Sequence, residues 1–414
     1  MSARKETELP AQSLRCRSCA AEYPLEDIGT CSACFGPLDP VYDWEALAGT
    51  ITRESIAAGP ASIWRYSALL PLEAPEAPRL APGLTPLVRA DRLAGELGLR
   101  ELWLKLDTAN PTHSFKDRVV AVAAQKAREL GRDTLACSST GNLANAVAAR
   151  AAAEGMEAVV FCPADLEPEK LVATAVFRPT IYAVQGTYDD CSRLTVELSF
   201  ELPWAFVNVG LRSYYAEGSK TVAFEIAEQL GWDAPDAVVA PIASGSLYSK
   251  IAEGFDQLGR LGLIDAATPR LFGAQAEGCS PVAAAFGADA RVVPVRPATV
   301  ARSLAIGNPA DGDKAVATAR ATDGAIYAVP EAEVGENMAV LAAHTGVFGE
   351  TAAGVSLGAL REAVARGELG ADDRVVLVVT GDGLKTPGPV SGLFEPVHVE
   401  ADADAVLERL GVLT

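Results

Sequence analysis

The feature that most constrains this chain is the repeated alternation of short apolar runs with alanine-rich helical stretches. ELWLKL leads into FKDRVVAVAAQKAREL, DTLACSS into LANAVAARAAAEG, EAVVFCP into EPEKLVATAVF, and TIYAVQG into YDDCSRLTVELSFEL. Each run has the length of a strand, and crossings of roughly 10 to 20 residues are long enough to carry a helix back over a sheet. Further along, DAVVAPIA precedes a helical YSKIAEGFDQLG, and RLFGAQA and RVVLVVTG have the unbroken hydrophobicity of strands buried on both faces. The pattern predicts an α/β protein with open, mainly parallel sheets. Such sheets bind ligands beyond the C-terminal ends of their strands, so the loops after these runs are where chemistry is expected.

A chain of 414 residues exceeds what one hydrophobic core serves, so more than one domain is expected. The formal charge of −19 repels polyanions and anionic lipid, which disfavours nucleic-acid and membrane-surface roles. An anionic substrate must then be drawn in by local positive groups. The N-terminus lacks the apolar segment of a secretion signal, and nowhere do about 18 apolar residues run together, so a cytoplasmic protein is expected. With only three histidines, histidine-based metal catalysis is poorly supplied. Residues 1–13 read as a polar tail. The proline-crowded stretch from Ser67 to Pro86 is expected to run extended over the surface.

Four loops hold residues capable of chemistry. NPTHSFKDR, residues 110–118, places Lys116 where a loop enters a helix just after ELWLKL. An ε-amine held there away from bulk water has a lowered pKa and is ready to form an imine with an aldehyde, although an ordinary first-turn lysine gives the same pattern. CSSTGN, residues 137–142, lies between a strand and a helix, where free amides and hydroxyls can receive an anion or simply cap the helix. ASGSL, residues 243–247, is a small-residue turn of the kind that cradles phosphate, but it matches no established nucleotide loop. TGDGLK, residues 380–385, follows a buried strand, and a hydroxyl there can bond a ring nitrogen without imposing a full charge on it.

Taken together and in this order, PTHSFKDR, the asparagine loop and the TGxGLK segment resemble those of the threonine synthases, which are fold-type II pyridoxal-phosphate enzymes of the tryptophan synthase β-like family. The resemblance runs from about residue 80 to about 390. It implies that Lys116 carries pyridoxal 5′-phosphate as a Schiff base and shuttles protons on the substrate. It also implies that Ser139, Thr140 and Asn142 bind the substrate carboxylate, with Asn142 also at the cofactor's 3′-oxygen. Ser244, Gly245 and Ser246 would receive the cofactor phosphate, in a turn less glycine-rich than the family's, and Thr380 would meet the pyridine nitrogen.

VNVGLR (207–212) and AEGSKT (216–221) resemble the family's substrate-phosphate region, which implies phosphate contacts for Asn208, Arg212 and Lys220. An arginine offers a planar fork there, and a surface arginine is the alternative. SLAIGNP, residues 303–309, also matches but gains no role. The implied architecture is an N-terminal zinc-ribbon-like unit (1–45), a large cofactor-binding domain (46–115 and 215–414) and a small domain carrying the asparagine loop (116–214).

The implied reaction converts O-phospho-L-homoserine and water to L-threonine and phosphate by γ-elimination and β-addition, in a homodimer acting on a small phosphorylated amino acid. Two other readings stay open. One is a different pyridoxal-phosphate reaction, such as replacement or elimination on O-phosphoserine, serine or threonine. The other is a non-catalytic homologue that uses the cysteine unit to bind a protein.

Cys16, Cys19, Cys31 and Cys34 form two C-x2-C pairs, the arrangement that surrounds tetrahedral zinc. A unit this small has too little core to fold without a staple, so structural zinc is expected, with an empty or oxidised site as the alternative. His113 beside the lysine reads as loop packing, and Cys137, Cys162, Cys191 and Cys279 as small core residues.

Overall fold

The computed structural model describes residues 9–165, 168–265 and 268–411. Three sheets organise them. The first is antiparallel, in the order β2-β1-β3, from β1 (Ala11–Cys16), β2 (Glu22–Tyr23) and β3 (Leu38–Tyr42). Next in chain order come β4 (Leu87–Arg89) and β5 (Glu101–Leu106), which belong to a large sheet. The chain then builds a separate sheet from β6 (Thr134–Ser138), β7 (Glu157–Pro163), β8 (Thr180–Val184) and β9 (Ala205–Phe206), all parallel and ordered β8-β7-β6-β9. It returns to the large sheet with β10 (Ala237–Pro241), β11 (Arg270–Ala276), β12 (Ala325–Val329) and β13 (Arg374–Val379). That sheet is ordered β12-β11-β10-β13-β5-β4, parallel except for β4 at its edge.

The mainly parallel α/β reading of the sequence is met, and the strands expected from unbroken apolar runs are buried along their length. In β6 and β10 every residue is buried. The helices follow from local chemistry. Lys116–Glu129 carries Asp117 in its first turn and Lys126 and Arg128 in its last, matching the helix dipole. Asn142–Glu154 stops at Gly155, in the left-handed conformation glycine tolerates. Tyr188–Leu198 starts at Thr187, whose side chain caps the helix in exchange with Asp190.

One expectation needs correction. The segment from Ser67 to Pro86 is not wholly a surface strap: Leu69, Leu70 and Leu72 are buried, the chain runs over the surface from Glu73 to Ala81, and Pro82 and Thr85 are buried again. The cysteine unit shares its packing with the main body. Leu14, Cys16, Cys31 and Leu38 belong to the same continuous core as Ile63, Phe115, Val119 and Tyr214. Sequence reading missed β4 and β9, where two or three residues give too few positions for a periodic signal, and it also passed over β12 and the two long helices that follow it, Glu331–Thr345 and Thr351–Ala365.

Behind the helix that begins at Lys116 lies a fully buried ionic cluster. Arg118 meets Asp107 through Nε at 2.8 Å and also pairs with Glu225, which lies 2.6 Å from the Lys105 ammonium. Burial pushes the Glu225 carboxyl up, but Arg118 and Lys105 hold it down at about 2. An arrangement this buried is costly to break because any orphaned charge would stay in the interior. It therefore fixes the first turn of the lysine helix against β5.

Candidate active site

The loops after β10, β13 and β5 leave the same end of neighbouring parallel strands, and the loop after β6, in the separate sheet, meets them through Asn142 and Lys385. The loop before Lys116 is zipped to the loop after β13 by main-chain contacts. Ser114 bridges Gly381, the Phe115 amide donates to the Thr380 carbonyl at 2.8 Å, and the Asp382 amide donates to the His113 carbonyl at 3.1 Å. On its other side the same loop meets a third segment. Gly349 bridges Asp382, and the Glu350 amide donates to the Gly381 carbonyl at 3.0 Å. Lys116 and Thr380 are therefore brought together by backbone, and Thr380 is buried.

The Lys116 ammonium donates to the Tyr215 hydroxyl at 2.9 Å. Asn142 is held between two charged groups: its Nδ2 donates to Glu350 Oε1 at 2.9 Å, and its Oδ1 accepts from the Lys385 ammonium at 2.8 Å. Lys385 also reaches the Thr112 carbonyl, which ties the asparagine loop to the lysine loop. Glu350 is buried, and that burial pushes its carboxyl up to about 7 against the opposing pull of Lys385, the Asn142 amide and Lys116. Burial also lowers the Lys385 ammonium's pKa. Ser139 is buried, with its amide on the Phe161 carbonyl at 3.1 Å, and Thr140 beside it is half-buried. His113 packs its ring against its own loop, with Nδ1 3.2 Å from the Thr108 carbonyl.

A second group of residues gathers at the start of the helix Ser246–Arg260. Gly245 caps it at φ 92°, and a Cβ there would lie 2.5 Å from the Asp311 carbonyl oxygen, so only glycine fits. The Asp311 amide donates to the Ser244 carbonyl at 2.8 Å. Ser246 Oγ is buried without a protein partner, beside the amides of a helix N-terminus, where a phosphate would satisfy it. Arg212 Nη2 lies 2.6 Å from Asp311 Oδ2, which sets this arginine next to the same turn. Asn208 has a buried amide oxygen that also lacks a partner.

Lys220 does not join them. It is fully buried, its ammonium 2.6 Å from Glu217 and within hydrogen-bond distance of the Tyr42 hydroxyl and the Leu69 carbonyl. The phosphate-facing point charge expected there is replaced by a structural ion pair. Conversely, Tyr215, Glu350, Lys385 and Asp311 were not singled out from sequence. Lys385 lies inside a segment that was noticed, but nothing local marks the other three.

The four cysteines of the N-terminal unit bring their Sγ atoms within 4.8 Å of one another, with Cys16 to Cys34 at 3.4 Å and Cys19 to Cys31 at 3.5 Å. Cys137, Cys162, Cys191 and Cys279 are buried and separate, as small core residues are. Among the described residues no helix is long and apolar enough to cross a membrane.

Comparison with known proteins gives a consistent result. The model of the family described as pyridoxal-phosphate dependent enzyme matches residues 78–381. A threonine synthase from Methanosarcina acetivorans is 37% identical over 402 residues, covering 96% of this chain and 98% of that protein. One from Methanocaldococcus jannaschii is 34% identical over 401 residues, with the same coverage of both chains. Among solved structures, a diaminopropionate ammonia lyase from Escherichia coli superimposes with a TM-score of 0.65 at 17% identity, covering 83% of this chain and 93% of that one. At that identity the likeness is one of fold.

Proposed function

This chain belongs to the pyridoxal-phosphate dependent enzymes and, among them, to the threonine synthases, and from that premise we propose which of its residues convert O-phospho-L-homoserine and water to L-threonine and phosphate. Pyridoxal phosphate supplies an aldehyde for amines and a ring that draws electrons from the carbons of a bound amino acid. Lys116 would hold the aldehyde through its amine and, when that amine is free, would carry protons between substrate carbons. The hydroxyl of Tyr215, 2.9 Å from the Lys116 ammonium, keeps that amine aimed when it is free.

Thr380 would meet the ring nitrogen, and Asn142, locked by Glu350 and Lys385, would meet the ring oxygen. Ser244, Gly245 and Ser246 receive the cofactor's phosphate, supported by the partnerless Ser246 Oγ and the glycine-only approach at Gly245. Ser139 and Thr140, with Asn142, hold the substrate carboxylate. Asn208 and Arg212 hold the phosphate that leaves from the γ-carbon. The observation that carries this reading is the backbone zipper that places Lys116 beside Thr380.

The cysteine unit binds structural zinc. Zn–S bonds of about 2.3 Å place the sulfurs of a tetrahedral site about 3.8 Å apart, a spacing compatible with four Sγ atoms inside 4.8 Å. The enzyme works in the cytoplasm as a homodimer, a setting in keeping with its free thiols. Adding O-phospho-L-homoserine to the purified holoenzyme should change its visible spectrum and release phosphate together with L-threonine. Phosphate release from O-phosphoserine, with none from O-phosphohomoserine, would replace this substrate assignment.

A further inference from the structure

Arg17 lies inside the first cysteine pair, between Cys16 and Cys19, yet its side chain reaches out of that unit. Nε and Nη2 sit 2.9 Å from the two carboxylate oxygens of Asp39, and Nη1 sits 2.9 Å from Asp311 Oδ1. Asp311 is buried, and its other oxygen, Oδ2, is the one 2.6 Å from Arg212. Through its main chain the same aspartate supports Ser244 and Gly245. One carboxylate thus joins the cysteine unit, the arginine assigned to substrate phosphate, and the turn assigned to cofactor phosphate.

The distribution of charge gives this junction a purpose. Asp39 is itself surrounded by cations, with the Lys250 and Lys314 ammoniums at 3.6 and 3.5 Å, so it stays anionic and grips Arg17 in a two-pronged fork. Arg17, held in this way, shares Asp311 with Arg212, one oxygen each. We propose that Arg17 is a positioning residue for capture of the phosphorylated substrate. By sharing the charge of Asp311, it leaves Arg212 fixed in place but not neutralised, so that the remaining guanidinium N–H groups can meet a phosphate dianion. Without Arg17, the whole charge of Asp311 falls on Arg212 and competes with the substrate, and Asp311 loses one of its anchors. This inference rests on the assignment of Arg212 above.

The test compares wild-type, Arg17→Ala, Arg17→Lys and Arg212→Ala holoenzymes. Measured are KM and kcat for O-phospho-L-homoserine, competitive inhibition by inorganic phosphate, and the affinity for L-threonine, which carries no phosphate. Arg17→Ala should raise both KM and the phosphate inhibition constant about tenfold, change kcat by less than about threefold, and leave L-threonine affinity unchanged. Arg17→Lys, which keeps the charge but not the fork, should recover part of the loss. If Arg212→Ala raises both constants and Arg17→Ala raises neither, the inference is overturned while the Arg212 assignment stands. If Arg212→Ala raises neither, the assignment falls and takes the inference with it. Parallel loss of L-threonine affinity in Arg17→Ala, with no recovery in Arg17→Lys, would mean damage to the fold and would equally overturn it.

Discussion

At the lysine end of the site main chain is fastened to main chain, whereas at the serine-turn end the main-chain support comes from a residue that is itself held by side-chain charge. Ser114, Phe115 and His113 are fastened to residues 380–382 by a bridge and amide hydrogen bonds that use no side-chain atom. Ser244 and Gly245 instead lean on Asp311, whose carboxylate is shared by arginines from two other parts of the chain. The difference is one of tolerance. A backbone ladder sets position whatever the ligand, while a charge relay sets position and also adjusts how strongly an anion is held.

Lys116→Ala should separate the two ends most sharply. Turnover should fall by at least about three orders of magnitude, and the visible absorbance of lysine-linked cofactor should vanish. The serine turn is untouched by this change, so equilibrium dialysis should still detect cofactor held through its phosphate. Turnover surviving in this variant would remove Lys116 from the chemistry.

Gly245→Ala attacks the opposite end. It places a side chain at φ 92° and against the Asp311 carbonyl, at a cost of about 1–3 kcal/mol. Cofactor affinity should drop, while saturating cofactor should still develop the absorbance due to Lys116. Unchanged affinity by titration would take the cofactor phosphate away from this turn.

The third effect falls on stability, not on turnover or cofactor affinity, and concerns Glu350, a charged exception within the lysine end. Its carboxyl is raised by burial from the ordinary 4.5 to about 7, so the folded protein keeps a proton that the unfolded chain has already lost. That contribution to stability is full below 4.5 and disappears as pH rises through about 7. In denaturant titrations from about pH 5 to about pH 8, the wild-type protein should therefore lose stability relative to Glu350→Gln. Parallel curves would show that Glu350 ionises in its usual range.

The same contrast decides what could be read from sequence. Strands such as RVVLVV and loops such as the one carrying Lys116 are written in consecutive residues, because the strand, the turn and the reactive side chain are neighbours in the chain. The partners that hold them are not. Tyr215 is 99 positions from Lys116, Glu350 is 208 from Asn142, and Asp311 is 294 from Arg17. No window of sequence contains both members of such a pair, and a lone aspartate or tyrosine in a loop has no periodicity to give it away. Lys220 shows the converse error. Its setting in EGSK suggested phosphate binding, but Glu217, one helical turn earlier, takes its charge.

Cys16 and Cys31 face inward and share their packing with Leu14, Leu38 and residues of the lysine helix. A gene shortened to begin at the first large-sheet strand would therefore yield more than a protein lacking a decoration. It would bare an oily wound on the catalytic body, and the natural lineages of such a body can discard the thiol-rich start only by resurfacing what lay beneath it.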